Sequence, residues 1–137
     1  FILSQPAIVD IVDIRSGAVT RAMLEHETWL SLGPTQNMEA TPDGTKLFVG
    51  FVRENEEHGG FVVSEIRAYD TTSWEMLGIL ELDNPVMHFA ISNDGQRLYA
   101  VSPFEQSIAI YNTSNLELTA FRTGVGRTPA RVVIPPQ

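Results

Sequence analysis

The residues of this sequence that could do chemistry are its histidines and a run of carboxylates. The run, near the middle of the chain, contains Glu54, Glu56, Glu57 and His58, and a second imidazole, His26, lies in an earlier acidic stretch. Carboxylate oxygens and imidazole nitrogens are ligands of divalent cations, so these residues could bind a metal or a cationic ligand. Their spacing matches no metal-ligand motif, however, and such a run is also typical of a solvated loop. Both interpretations stay open, and we predict no resident metal and no cofactor.

The third imidazole, His88, lies in an apolar segment that begins with a proline. Histidine titrates near neutral pH, so His88 could act as a base that lines a channel. The alternative is a core histidine that hydrogen bonds to the backbone. The sequence assigns no acidic partner to His88 and contains no Gly-x-Ser-x-Gly motif, so the catalytic residues stay unknown.

Two further side chains are candidates for contact with a partner. Trp29 lies close to His26 in the sequence, and aromatic side chains commonly anchor interfaces. Arg127 belongs to a group of arginines near the end of the chain, which could contact an acidic partner or form ordinary surface ion pairs worth ~0–1 kcal/mol each. We predict that these two residues, the three histidines and the acidic run form one ligand or partner face.

An internal repeat indicates which elements must position these residues. Residues 34–48 return as residues 85–99, and each copy contains an Asp-Gly step, at Asp43 and Asp94, 51 residues apart. A fixed period of this size is typical of arrays of small structural units. Short apolar runs rich in Val, Ile, Phe and Tyr, separated by turn-forming residues, indicate strands rather than helices.

Each repeat divides into four predicted strands. An Asp-Gly step favours the tight hairpin between the first strand and the second, and an Asp or Asn ends the third strand. The segments before residue 25 are typical of the second, third and fourth strands of a blade. The segment from residue 128 onward is typical of a first strand. The predicted strands are 1–4, 7–14 and 18–24, then 35–40, 46–52, 62–69 and 74–82, then 86–91, 97–101, 107–111 and 116–121, and finally 128–135.

This pattern predicts an all-β chain in the form of a partial β-propeller, because four-stranded antiparallel units at this period are typical of propeller blades. We expect one segment over residues 1–137, with a blade at 1–24 completed by 128–135, a blade at 34–82 and a blade at 85–121. Closed propellers contain ~4–8 blades, so three blades leave apolar faces uncovered. We therefore expect another polypeptide or a second copy to complete the ring, and the start at Phe1 favours a piece of a longer propeller.

The amino-acid sequences of the predicted blades resemble a known repeat family. Thr-Pro-Asp43-Gly-Thr-Lys-Leu-Phe-Val with Ile66-Arg-Ala-Tyr-Asp, and the matching segments from Asp94 and Ile108, are similar to the YVTN-type β-propeller repeats. Related repeats occur in methylamine dehydrogenase-like large subunits, in lactonase-like propellers and in surface-layer proteins. The resemblance implies a propeller fold and a periplasmic or secreted location, and it carries no catalytic motif onto this chain.

Composition excludes several classes of function. The formal net charge of −8 argues against binding to nucleic acid or to an anionic membrane surface, since both need clustered basic residues. The absence of cysteine excludes disulfides and thiolate metal sites. No apolar run approaches the ~18 residues that a membrane-spanning helix needs, so we expect no membrane insertion.

The connection between the second and third strands differs between the repeats. Leu47 and Ile66 are 19 positions apart, whereas Leu98 and Ile108 are 10 apart, and the additional residues hold the acidic run. Long loops on rigid scaffolds commonly carry function. The sequence therefore predicts a non-catalytic scaffold for interaction or assembly, with its binding face at residues 25–33, 53–60, 83–85, 102–106 and 122–128. The alternative is a propeller enzyme or enzyme subunit, either methylamine dehydrogenase-like or a lactonase-like hydrolase.

Overall fold

Strands form all the regular structure among the residues that the computed structural model describes, which are 2–4, 8–24, 38–54 and 61–135. They form three antiparallel sheets, in the orders β1-β2-β3, β4-β5-β6-β7 and β8-β9-β10-β11, here called the first, second and third sheets. Within this described part, no helix is long and apolar enough to cross a bilayer. The strands are β1 Ile2–Ser4, β2 Ile8–Val12, β3 Val19–Met23, β4 Met38–Ala40, β5 Lys46–Glu54, β6 Phe61–Asp70, β7 Met76–Val86, β8 His88–Ile91, β9 Arg97–Ser102, β10 Ser107–Asn112 and β11 Leu118–Thr123.

The sequence period is preserved in the strand pairing. Glu39 lies opposite Phe48 in the second sheet, and Ala90 lies opposite Tyr99 in the third, so both members of the pair move by 51 residues. Each of these sheets is a meander of four neighbouring antiparallel strands. The predicted all-β fold class with four-stranded antiparallel blades is confirmed.

The core lies between the sheets. Successive side chains of a strand point to opposite sides, so Leu47 and Val49 of β5 face the first sheet while Phe48 faces the third. The first interface, between the first and second sheets, contains Val9, Leu24, Leu47, Val49, Phe51 and Tyr69. The second interface, between the second and third sheets, contains Phe48, Ile66, Ala68, Leu80, Val86, Phe89, Ile91, Leu98, Ala100 and Tyr111.

The Asp-Gly turns are built in the same way in the second and third sheets. Asp43 accepts hydrogen bonds from the Thr41 hydroxyl at 2.6 Å and from the Thr45 backbone N–H at 3.0 Å. Asp94 accepts the equivalent bonds from the side chain and backbone of its own turn. The glycine after each aspartate has φ near +70°, a conformation that glycine adopts without the penalty of a Cβ.

The additional residues of the second sheet form more strand than the sequence predicts. Residues 53 and 54, assigned to a loop, continue β5 and pair with Val62 and Phe61. β7 also extends to Val86, which pairs with Val63, whereas the predicted strand ends at residue 82. The ladder continues because a bulge at Phe51 lets the hairpin keep pairing beyond the usual end of the blade.

The predicted strand at 128–135 is absent, and the first sheet consists of β1, β2 and β3. Pro129 and Pro135 lack the backbone N–H that a ladder needs, so the segment pairs poorly as a strand. It is held instead at the third sheet, where the Asn93 side chain donates a hydrogen bond of 2.7 Å to the Pro135 carbonyl. Completion of the first blade by this segment, and the division into blades at 1–24, 34–82 and 85–121, stay predictions of the sequence.

Candidate functional site

The candidate site lies on the first strands of the second and third sheets. β4 and β8 lie side by side, and each is followed by an Asp-Gly turn that starts the next strand. Propeller blades place their first strands around the central axis, so these two strands form the wall on which a channel ligand would rest. Arg131 interacts electrostatically with two side chains near this wall, Glu39 and His88, and we call these three residues the inner-strand cluster.

His88 is the first residue of β8, as predicted for a first strand, and its side chain is half-buried. Its Nδ1 atom is buried and has no hydrogen-bond partner among the described residues. Burial lowers the pKa of His88 below its usual value of 6.5, and the positive charge of Arg131 lowers it further. Burial and the charge of Arg131 therefore both favour the neutral imidazole.

Glu39 of β4 supplies the acidic group that the sequence does not assign to this region. Its side chain is half-buried, and burial raises the pKa of the Glu39 carboxyl, while the charge of Arg131 opposes that rise. Arg131 lies in the segment that follows β11, and its side chain is exposed. The cluster therefore combines a carboxyl group, a neutral imidazole and a guanidinium, which together can bind a polar or charged ligand and hold a proton.

The binding face that the sequence predicts at residues 25–33, 53–60, 83–85, 102–106 and 122–128, here called the loop face, is described in part. In the third sheet, the turn after β9 and the segment after β11 lie together, since the Val125 backbone N–H donates to the Gln106 carbonyl at 3.2 Å. Gln106 has a φ of 50°, which closes this turn. The structure therefore brings together two of the predicted face segments, 102–106 and 122–128. Arg127, which lies between β11 and Arg131 in the sequence, is exposed.

The other predicted face residues fall largely outside the described residues. Glu54 ends β5, and its backbone alone is described. The structure therefore does not test the proposed metal or cationic site, and within the described ranges no three acidic or imidazole side chains are grouped to hold a metal ion. The residues outside the described ranges are His26, Trp29, Glu56, Glu57 and His58.

A buried arginine in the first interface escapes the sequence analysis. The Arg67 side chain is 2% exposed, forms an ion pair with Glu65 and lies over the Phe51 ring, with its guanidinium carbon 5.3 Å from the ring centroid. Glu65 and Arg67 are two residues apart on one strand, so their side chains share a face. That spacing in an otherwise apolar strand is the signal that could have identified the pair.

Trp74 and Asn112 have structural roles in turns. Trp74 has a φ of 63° in the turn after β6 and packs against the first interface. Asn112, the first residue of a glycosylation-type Asn-Thr-Ser sequence, is half-buried, and its Oδ1 accepts hydrogen bonds from the Ser114 backbone and hydroxyl at 2.8 and 2.6 Å. The Asn112 amide oxygen therefore stabilises this turn.

Comparison with known proteins identifies the fold through structure alone. No protein-family model matches the chain, and no curated protein matches its sequence. The hydrazine synthase of Kuenenia stuttgartiensis is similar over 90% of this chain and 31% of its own, with 19% identity and a TM-score of 0.62. The RRP9 WD40 repeats and U3-55K each match 73% of this chain at 18% identity with a TM-score of 0.54, over 27% and 28% of their own lengths.

These likenesses agree with the sheet order and the period of the repeat. The chain spans about a third of the length of the solved structures that it matches, as expected for three blades of a larger ring. At identities below 20% the likeness extends to the fold and not to an activity. This chain therefore has a β-propeller fold, of which it forms three consecutive blade sheets.

Proposed function

We propose that this chain is a non-catalytic propeller scaffold that binds other polypeptide segments. The first of these partners are the blades that complete its ring. The observation that carries this proposal is that the outer sides of the first and third sheets are only partly covered by the described residues, whereas the sides that face the second sheet are buried. We call these outer sides the first face and the third face. Closed rings of this fold contain ~4–8 blades, so three blades do not bury both faces.

The first face has two apolar cross-strand pairs with the Asp10–Arg21 ion pair between them. Val12 pairs with Val19 and Ile8 pairs with Met23 across β2 and β3, and these side chains point away from Val9, which is buried in the first interface. Val19 is 58% exposed and Met23 is 73% exposed. Paired apolar side chains of this kind normally mark an interaction surface, since their burial stabilises a complex by ~25 cal/mol per Å² of apolar surface removed from water.

The third face is apolar as well, with basic side chains at its edges. Tyr99, Ile108 and Ile110 point away from the second interface, because each is adjacent in its strand to a residue buried there. Arg97 and Arg122 are exposed on the same side. The loop face lies next to this surface and is the proposed site for a ligand or a further partner, as the sequence predicts for residues 102–106 and 122–128.

A hydrophobic dye tests whether the two faces are free binding surfaces. The isolated chain is expected to enhance the fluorescence of anilinonaphthalene sulfonate, and Met23→Asp is expected to reduce that enhancement. Val133→Asp is the matched control, because Val133 is 70% exposed but lies outside both faces. Absence of dye binding by a monomeric chain would contradict the scaffold proposal.

We also assign the repeats to the YVTN type and place the protein in the periplasm or outside the cell. The turn sequences at Asp43 and Asp94 support the first assignment, and the absence of cysteine is compatible with the second. Expression with a secretion signal, followed by comparison of folded yield in the periplasm and the cytoplasm, tests the location. Folding in the cytoplasm alone would count against it.

The inner-strand cluster favours an enzyme as the second candidate. A propeller enzyme would use the neutral His88 as a base and Arg131 to bind an anionic group beside Glu39. The two enzyme alternatives, a lactonase-like hydrolase and a large subunit of a methylamine dehydrogenase-like complex, differ in a simple assay. Hydrolysis of a lactone that His88→Ala abolishes would favour the first, and a quinone absorbance in co-purifying protein would favour the second.

A further inference from the structure

We propose that residues 128–135 are the first strand of a further blade, and that the second, third and fourth strands of that blade cover the third face. The inference rests on the proposed function and names the partner of this face, which is a three-stranded antiparallel sheet of the same repeat, joined to the segment by a tight turn. It assigns the segment to the blade after the third sheet and not to the first sheet. Propellers place successive first strands side by side around one axis, so the strand that follows β8 in this order belongs beside it.

The segment after β11 runs along the third sheet from one end to the other. It begins at the loop face, where the Val125 backbone N–H donates to the Gln106 carbonyl at 3.2 Å. It reaches the Asp-Gly turn after β8, where the Asn93 side chain donates to the Pro135 carbonyl at 2.7 Å. β8 also runs from the loop face to that turn. The segment therefore has the direction that a first strand beside β8 needs.

The side chains of the segment alternate in exposure. Val132 and Ile134 are half-buried, whereas the residues on either side of each are exposed. Alternation with a period of two is typical of a strand that packs on one side. A shift of 43 residues aligns Val132 and Ile134 with Phe89 and Ile91, the two residues of β8 that are buried in the second interface. The segment therefore repeats the positions with which β8 contacts the second sheet.

The prolines of the segment are compatible with this assignment. By the same shift, β8 corresponds to residues 131–134, and Pro129 and Pro135 lie outside that range. A first strand pairs on one side only, and proline is tolerated in such edge strands. The prolines therefore shorten the strand and do not prevent its pairing.

The pairing of β8 shows which backbone groups of the segment would join a ladder. The Ser92 N–H at the end of β8 donates to the Arg97 carbonyl at 2.8 Å. Every second residue of an antiparallel strand makes such bonds. Counting back from Ser92 in steps of two and moving on by 43 residues gives Val133 and Arg131. Their N–H groups are expected to pair with the second strand of the further blade.

Burial on the third face falls from the inner strands to the outer ones. Ala90 of β8 and Val101 of β9 are 7% and 3% exposed, although both point away from the second interface. Ile108 and Ile110 of β10 are half-buried on the same side, and Arg122 of β11 is exposed. Such a gradient is expected where the first strand of a covering blade is in place and its other strands are not among the described residues.

The second interface shows how the other strands would fit. There the Lys46 ammonium group donates a hydrogen bond of 3.1 Å to the Thr113 backbone carbonyl, in the turn between β10 and β11. The repeat places Arg97 at the position of Lys46, and a cavity of about 420 Å³ lies beside Arg97 and Ile110 on the third face. The corresponding turn of the further blade fills this cavity and accepts a hydrogen bond from Arg97.

An extended chain tests the assignment. A copy of residues 93–123 is joined after Pro135, in place of residues 136 and 137, so that an Asp-Gly turn and three strands follow the segment. The extension is expected to raise the midpoint of urea unfolding by roughly 1 M, since it buries the apolar third face. Hydrogen exchange at the N–H groups of Arg131 and Val133 is expected to slow by about tenfold or more. An extension of the same residues in scrambled order is the matched control and is expected to change neither quantity.

Two substitutions make the test specific for the third face. Ile110→Asp in the third sheet itself, and not in the copy, is expected to abolish the gain in urea midpoint, and Arg97→Ala is expected to reduce it by about half. Met23→Asp is the matched control, because Met23 lies on the first face, and it is expected to keep the gain. Each variant is compared with and without the extension, so that its own effect on stability cancels. Far-ultraviolet circular dichroism shows whether the added strands fold.

The possible outcomes separate this inference from the scaffold proposal. An extension that stays unfolded, or that neither stabilises the chain nor slows exchange at Arg131 and Val133, would overturn the further blade. If the unextended chain then binds the hydrophobic dye, the scaffold proposal stands, and if it binds none, both fail. Slow exchange at the same N–H groups in an unextended chain with the mass of two or more copies would show that another copy supplies the paired strand, which would also overturn the further blade.

Discussion

At the scale of single residues, the buried Arg67–Glu65 pair is the feature with the largest consequence for stability. Removal of one member of a buried ion pair leaves an uncompensated charge and typically costs ~3–5 kcal/mol, whereas replacement of both members by apolar residues of similar size is often neutral. We therefore expect Arg67→Ala to lower the free energy of unfolding by about that amount, and the double variant Arg67→Met with Glu65→Leu to lower it much less. Urea unfolding measures both. The exposed Arg15→Ala is the control and is expected to have almost no effect.

Arg131 controls the protonation of the inner-strand cluster. Its charge lowers the pKa of His88 and opposes the rise in the pKa of Glu39 that burial causes. Arg131→Ala is therefore expected to raise the pKa of both groups, which nuclear magnetic resonance titration of the two side chains measures. Arg127→Ala, also exposed in the same segment, should leave both pKa values unchanged. Unchanged values in Arg131→Ala would show that the three side chains do not interact.

The lowered pKa of His88 also has a defined effect on stability. A folded-state pKa below 6.5 means that the unfolded chain binds a proton more readily, so the contribution of His88 is fully present above pH 6.5 and is lost as the pH falls through and below that value. The raised pKa of Glu39 acts in the opposite sense above its usual value of 4.5, where its ionisation disfavours the folded state. His88→Asn removes the first effect, which unfolding measured between pH 5.5 and 7.5 detects.

At the scale of elements, the two Asp-Gly turns offer a matched pair of substitutions. Gly44 and Gly95 have φ of 70° and 72°, so alanine is strained by ~1 kcal/mol at either position. A Cβ at Gly44 meets nothing within 4 Å, whereas one at Gly95 lies 3.1 Å from Cδ of Pro42 in the neighbouring blade. We expect Gly95→Ala to destabilise the protein more than Gly44→Ala. Equal losses would mean that the blades separate enough at this end to admit a methyl group.

The same turns explain how the elements are kept in register. The backbone N–H groups of Thr71 and Thr113 donate to the carbonyls of residues 45 and 96, and their hydroxyls donate to Gly44 and Gly95 in the same respective turns. Each four-stranded sheet is therefore tied across its two hairpins at one end. The opposite end, where the loop face lies, is free to vary in length, and it is there that the second sheet carries its additional residues.

At the scale of the whole molecule, stability is expected to depend on protein concentration. Burial of the exposed apolar side chains of the first face against other polypeptide, including further copies of this chain, stabilises the folded state by mass action, so the melting temperature should rise as the chain is concentrated. Met23→Asp should abolish this dependence, and Val133→Asp should keep it. A melting temperature that is independent of concentration in the unmodified chain would show that the first face does not bind further copies of the chain.

The sequence by itself determined the repeat, the strand-and-turn pattern, the Asp-Gly hairpins and the all-β propeller class, because period and turn chemistry are local properties that survive in any surroundings. It also identified His88 as a residue of a first strand. It did not identify Arg131 as the charge that acts on both His88 and Glu39, or the buried Arg67–Glu65 pair, and it assigned a strand to 128–135 that the structure does not form. Those features depend on which sheets pack together and on which partner each backbone N–H finds, and only the tertiary structure decides that.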